Sequence, residues 1–312
     1  MSAHGIQGQR LRLWSPAGVV GEPAALTRAV ARLKALGLAV EVDPAARARH
    51  QRFAGDDATR LAALHGTADA APDIAMAVRG GYGLTRLLDG IDWSCVKRSV
   101  EQGTRWVGHS DLTALQLGLL AHTGAPSWAG PMALDDFGRV ADSVSLPDGF
   151  DEVTVGTFVE AMGGELEAVG FRCPAGFDGL SVRGTLWGGN LTMVLSLLGT
   201  PHWPRRAARG GILFLEDVGE HPYRVERMLL QLHQAGVLQA QKAVLLGAFS
   251  GWKAGPLDRG YRLASAFERV REVCSVPLVT GLPFGHVHPK LSLPVGRRVT
   301  LEVAGRDAFI VW

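Results

Sequence analysis

Residues 73–78 (DIAMAV) run apolar without alternation and break off into Arg79-Gly80-Gly81-Tyr82-Gly83. An apolar run of that length bounded by turn residues suits a strand buried on both faces, and such strands belong to parallel sheets covered by helices. The flanking sequence agrees. Residues 11–14 read as a short strand ending in Ser15-Pro16-Ala17-Gly18. Residues 23–36 place Ala25, Leu26, Val30, Leu33 and Leu36 at helical spacing, with Gly37 positioned to stop the helix. A second strand is expected at 38–42, a helix at 56–66, a strand at 106–108 and a helix at 112–122. Strands alternating with helices predict an α/β domain.

The 312 residues, 47% of them hydrophobic, are enough for two domains of ordinary size. The expected division is 1–137, a linker at 138–167 where charge, Pro and Gly mix with weak periodicity, and a strand-rich unit at 168–312. Within the second unit, strands are predicted at 211–216 (GILFLE) and 242–249, a helix at 223–235, and a Pro/Gly-rich stretch at 276–296.

Several function classes drop out on composition. Thirty-two basic against thirty acidic residues leave a formal charge of +2, with no basic stripe to attract nucleic acid or anionic lipid. No stretch approaches the roughly 18–20 apolar residues of a membrane helix, and the opening MSAHGIQGQRLRLW lacks an apolar export core. Cys95, Cys173 and Cys274 form no CxxC pair, which fits a reducing compartment. A soluble, unexported chain is expected.

Four places can carry chemistry. Ser110, in Gly108-His109-Ser110-Asp111-Leu112, stands between an apolar strand and an apolar helix. A sharp turn there would lift its hydroxyl as a nucleophile elbow does, although the second Gly of G-x-S-x-G is missing; a helix N-cap is the plainer reading. The 79–83 turn has three glycines that let backbone approach a ligand, as an oxyanion site, a phosphate site or simply a tight turn. Glu216-Asp217 ends a buried strand, where α/β proteins place ligand chemistry, while Asp217 and Glu220 also suit charge at the start of the next helix. His286, in Gly281-Leu282-Pro283-Phe284-Gly285-His286-Val287-His288, is pinned in a loop and has the range for general acid–base work. His286 and His288 form an H-x-H pair, but no third metal ligand follows at suitable spacing.

Taken in order, these blocks, with Gly130-Pro131-Met132 and Trp187-Gly188-Gly189-Asn190-Leu191, resemble the LD-carboxypeptidase family, which includes murein tetrapeptide carboxypeptidases and microcin C immunity peptidases. The resemblance implies a Ser110–His286–Glu216 triad with an oxyanion hole at the backbone amides of Gly81 and Asp111. It implies a flavodoxin-like, class I amidotransferase-like parallel-sheet domain followed by a strand-rich α/β domain. It also implies a cytoplasmic homodimer that needs no metal or organic cofactor. The expected reaction removes the terminal D-Ala from a murein tetrapeptide in cell-wall recycling. The rival within the family cleaves an aminoacyl-nucleotide analogue and needs an aromatic platform, for which Trp187 and Trp128 are the candidates. A non-catalytic ligand-binding protein on the same fold is the remaining alternative. Two departures from the family's pattern are His109, where an aromatic residue is expected, and Trp128.

Overall fold

The computed structural model describes residues 4–141 and 149–312. The first ten elements are β1 (Arg10–Trp14), α1 (Pro23–Ala35), β2 (Ala39–Val42), α2 (Asp57–Ala70), β3 (Ile74–Ala77), α3 (Trp93–Glu101), β4 (Arg105–Gly108), α4 (Thr113–Thr123), β5 (Ser127–Ala129) and α5 (Glu152–Gly163). There follow β6 (Ala168–Arg172), β7 (Ser181–Asn190), α6 (Leu191–Ser196), β8 (Ile212–Val218), α7 (Pro222–Gln234), β9 (Ala243–Ser250), α8 (Leu263–Val273) and β10 (Leu278–Thr280). The last three are β11 (Leu293–Val295), β12 (Arg298–Ala304) and β13 (Asp307–Val311). The chain divides into two compact units, Met1–Leu166 with Pro289–Pro294, and Glu167–His288 with Val295–Trp312.

The first unit is built on a sheet of order β11-β5-β4-β3-β1-β2. The β1–β2, β1–β3, β3–β4 and β4–β5 pairs are parallel, which is the flavodoxin-like order 2-1-3-4-5. All four residues of β3 are buried, as the unbroken apolar run requires. Trp14 of β1 and Trp106 of β4 meet edge to face at 5.3 Å within this core. The helix ends follow local chemistry. Pro23 opens α1, Gly37 at φ +93° follows its end, and the Asp56 carboxylate accepts from the Thr59 amide to start α2. In this strand order the direction reverses between β1 and β3, and ligands bind outside the carboxyl ends of strands at such a point. The 79–83 glycine turn leaves β3 there.

Of the stretch expected as a linker, 142–148 lies outside the described residues. The remainder contains α5, capped by Asp151 through Thr154 N at 2.8 Å and burying Val155, Phe158, Val159 and Met162 in the first unit. Its Gly156 and Gly163 and its two glutamates blur the apolar spacing, so the period was weak although the buried face is continuous.

The second unit carries a mixed sheet of order β10-β9-β8-β7-β12-β13-β6. From β7 to β10 the pairs are parallel; β7–β12, β12–β13 and β13–β6 are antiparallel. β12 and β13 alternate buried and exposed residues, as expected of a sheet with one covered face. Gly188, at φ +133°, is required by packing: a Cβ there would fall 1.9 Å from the Phe214 carbonyl oxygen.

Candidate active site

In the first unit, β4 ends at Gly108 and the chain turns through Ser110 at φ +62°. A non-glycine residue in the left-handed region costs about 1–3 kcal/mol and persists only where its surroundings enforce it. Ser110 does not cap a helix. The turn Ser110–Leu112 and the helix α4 begin behind His109 and Leu112, and neither start has a side-chain cap. The elbow reading therefore describes the local backbone better than the cap reading. Gly108 permits the bend, because a Cβ at its φ of +153° would strike Leu112, Ala77 and Met132 at 2.7–3.3 Å.

The glycine turn stands against this elbow. A Cβ on Gly80 would lie 2.7 Å from both Ser110 Cβ and Oγ and 3.4 Å from the Asp111 amide nitrogen. Gly81 follows at φ +108° and Gly83 at φ +154°, conformations that side chains rarely adopt. The Asp111 carboxylate accepts from the Leu84 amide at 2.8 Å, which ties the far end of the turn to the elbow. Burial pushes the Asp111 carboxyl up to about 6. The structure thus brings Gly80, Ser110 and Asp111 together, while Gly81, the next residue, lies against Gly18; the sequence had named the turn without showing that Gly80 is the glycine facing the serine.

In the second unit, Glu216 is fully buried on β8 and His286 stands in the loop after β10. Glu216 Oε2 lies 2.8 Å from His286 Nδ1. A register shift makes this contact possible. Leu215 pairs with Leu246 and Asp217 with Phe249, so Glu216 of β8 faces two residues of β9, Gly247 and Ala248. The Ala248 amide donates to the Phe284 carbonyl at 2.8 Å, and the Phe284 ring packs edge to face on Phe214 at 5.3 Å. Gly285 then passes so close that a Cβ would sit 3.1 Å from Glu216 Oε2. The histidine loop is therefore fastened to the strand carrying its carboxylate, and the His286 side chain keeps 21% of its surface exposed while that of Glu216 keeps none.

Asp217 has other partners. It accepts from Asn190 Nδ2 at 2.9 Å, from Thr192 N at 3.0 Å and from Thr192 Oγ1 at 2.8 Å, holding the start of α6; burial raises its carboxyl above the ordinary value. Glu220 pairs with Arg224 one helical turn on. Asn190 was not assigned a role from sequence. Its amide also reaches Glu216 Oε1 at 3.3 Å, so it braces both carboxylates, and its position at the end of an apolar strand beside β8 was the available signal. Among the described residues, no three His, Cys, Asp or Glu side chains converge as a metal site. Trp187 is fully buried, donating to Gln241 at 2.9 Å and packing on Trp203, and Trp128 is 6% exposed. Neither offers a stacking face.

Residues 11–130 match the LD-carboxypeptidase N-terminal domain and residues 183–301 the LD-carboxypeptidase C-terminal domain. The murein tetrapeptide carboxypeptidase of Pseudomonas aeruginosa is 30% identical over 298 residues, 94% of this chain and 93% of that one. The chain belongs to the LD-carboxypeptidase family. It is therefore a peptidase of the serine type. A crystal structure of muramoyltetrapeptide carboxypeptidase from Oxalobacter formigenes is similar at 39% identity and a TM-score of 0.85, covering 96% of this chain and 97% of that one. The microcin C7 self-immunity protein of Escherichia coli is a more distant relative, 24% identical over 263 residues, 77% of this chain and 74% of that one. The family's two-domain α/β fold agrees with the parallel first sheet and the strand-rich second unit.

Proposed function

We propose that this chain is an LD-carboxypeptidase that removes the terminal D-Ala from a murein tetrapeptide, with Ser110, His286 and Glu216 as its triad. The observation that carries the reading is the buried Glu216 carboxylate on His286 Nδ1 at 2.8 Å. A carboxylate on Nδ1 holds the proton there and leaves Nε2 as the base, which is the tautomer a serine peptidase needs. Ser110 Oγ attacks the carbonyl joining the L-centre residue to the terminal D-amino acid. His286 takes the hydroxyl proton and then passes it to the leaving amine, while Glu216 stabilises the imidazolium. Water repeats the sequence on the acyl-enzyme. The amides of Gly81 and Asp111 serve as oxyanion donors, each contributing about 3–4 kcal/mol by the precedent of other serine peptidases.

Burial of Trp187 and Trp128 supports the peptide over the aminoacyl-nucleotide substrate, because both candidate platforms are used in packing. The three free cysteines fit a reducing, cytoplasmic setting, and a homodimer follows the family's pattern. No helix among the described residues is long and apolar enough to cross a membrane. The test is to incubate the purified enzyme, with and without a chelator, with a murein tetrapeptide, its pentapeptide and a processed microcin analogue, reading products by mass. Release of D-Ala from the tetrapeptide, unchanged by chelator, supports the reading; cleavage of the microcin analogue alone overturns the substrate. Light scattering reads the oligomeric state.

A further inference from the structure

A fully buried charged cluster sits directly behind the serine elbow, and the chemistry above does not use it. Lys290 Nζ lies 2.8 and 3.1 Å from the two oxygens of Asp136 and 3.1 Å from His109 Nε2. Lys290 and Asp136 are 1% exposed and His109 2%. An ammonium has three protons and accepts nothing, so these three acceptors use all of them, and His109 Nε2 must be unprotonated. The proton of the neutral ring is then on Nδ1, which donates to the Gly130 carbonyl at 2.9 Å. Both nitrogens are committed, and the imidazole is held in one orientation and one tautomer.

The partners of this cluster reach the strand end that leads into the elbow. Asp136 Oδ2 also accepts from the Met132 amide at 2.7 Å, and the Lys290 amide donates to Thr154 Oγ1 of α5 at 2.8 Å. The Gly130 amide donates to the Gly108 carbonyl at 3.1 Å, and that carbonyl also accepts from Gln116 Nε2 at 3.0 Å. The residues on either side of His109 are thus fixed, one by backbone pairing and the other by the close approach of Gly80. A strained φ at Ser110 survives only if its surroundings forbid relaxation.

We infer that Lys290, Asp136 and His109 are positioning residues for the acylation step: the ion pair locks His109, and His109 holds Ser110 in its left-handed, outward conformation. This rests on Ser110 being the nucleophile. The decisive measurement is therefore the rate at which a fluorophosphonate labels Ser110, located by peptide mass, together with kcat, KM and Tm. Lys290→Met and Asp136→Asn each leave one buried charge unmatched, so both should lose Tm as well as rate. The double variant removes both charges and should regain most of the Tm. It should still label Ser110 and turn over about tenfold or more below wild type, with KM within about threefold, because His109 Nε2 has lost its donor. His109→Phe, which leaves the ion pair in place, should show the same loss of kcat and labelling. Leu33→Ala in α1 serves as a variant that loses Tm without losing labelling rate. A double variant or His109→Phe enzyme that labels and turns over as wild type overturns the inference, and His109→Phe decides alone if the double variant does not fold. A wild-type enzyme that reacts at another residue overturns the nucleophile assignment instead.

Discussion

Glu216 Oε2 meets His286 Nδ1 at 2.8 Å, while the next residue of the same strand, Asp217, turns to Asn190 and Thr192. One amide, Asn190 Nδ2, reaches both carboxylates, but Glu216 binds the ring while Asp217 binds the start of α6, so two adjacent carboxylates have two different tasks. Glu216→Gln keeps the shape of the site but removes the charge that stabilises the imidazolium, and kcat should fall by more than about 10³-fold with KM little changed. Asp217→Asn should instead cost about 1–3 kcal/mol of stability through the start of α6. Steady-state kinetics and denaturant unfolding of the two variants check this, and the opposite pattern would exchange their roles.

Ser110→Ala deletes the proposed nucleophile from a turn that caps no helix. Hydrolysis should drop by about 10³-fold or more with the fold intact, as read by circular dichroism and Tm. Retention of more than about a tenth of kcat would remove Ser110 from the triad.

Gly80→Ala places a Cβ 2.7 Å from Ser110 Oγ, so the serine must move or the glycine turn must open. Loss of kcat by about 10²-fold is expected, since small misplacements of a reacting group are this costly. Gly103→Ala is the comparison: its φ of +105° makes alanine strained, but nothing lies within 4 Å, so stability should suffer and turnover should not.

Asp111 gives a pH signature. Burial raises its carboxyl from the ordinary 3.8 to about 6 in the folded chain. A raised folded value means that the stability it contributes is complete below 3.8 and is lost as pH rises through about 6. Asp111→Asn keeps an acceptor for the Leu84 amide but cannot ionise. The stability of wild type relative to this variant should therefore fall by up to about 3 kcal/mol between pH 4 and 7.5. Equilibrium unfolding at the two pH values measures the difference, and a constant gap would contradict the raised value.

The parallel sheet of the first unit was legible because an apolar run such as 73–78 has few other ways to be buried, and its helices announce themselves by period and by Gly37 and Asp56 at their ends. Ser110, Glu216 and His286 were legible as residue types in ordered motifs. Sequence alone left Glu216, Asp217 and Glu220 as alternatives, since chain proximity says nothing about which carboxylate faces the ring; a one-residue register shift between β8 and β9 and the close passage of Gly285 decide that. The helix α5 was hidden because glycines and charges blur its period, and only packing shows that its buried face is continuous. Lys290 and Asp136 lie 154 residues apart in the chain and satisfy each other only when folding removes both from water, so the ion pair behind the serine had no local signal at all.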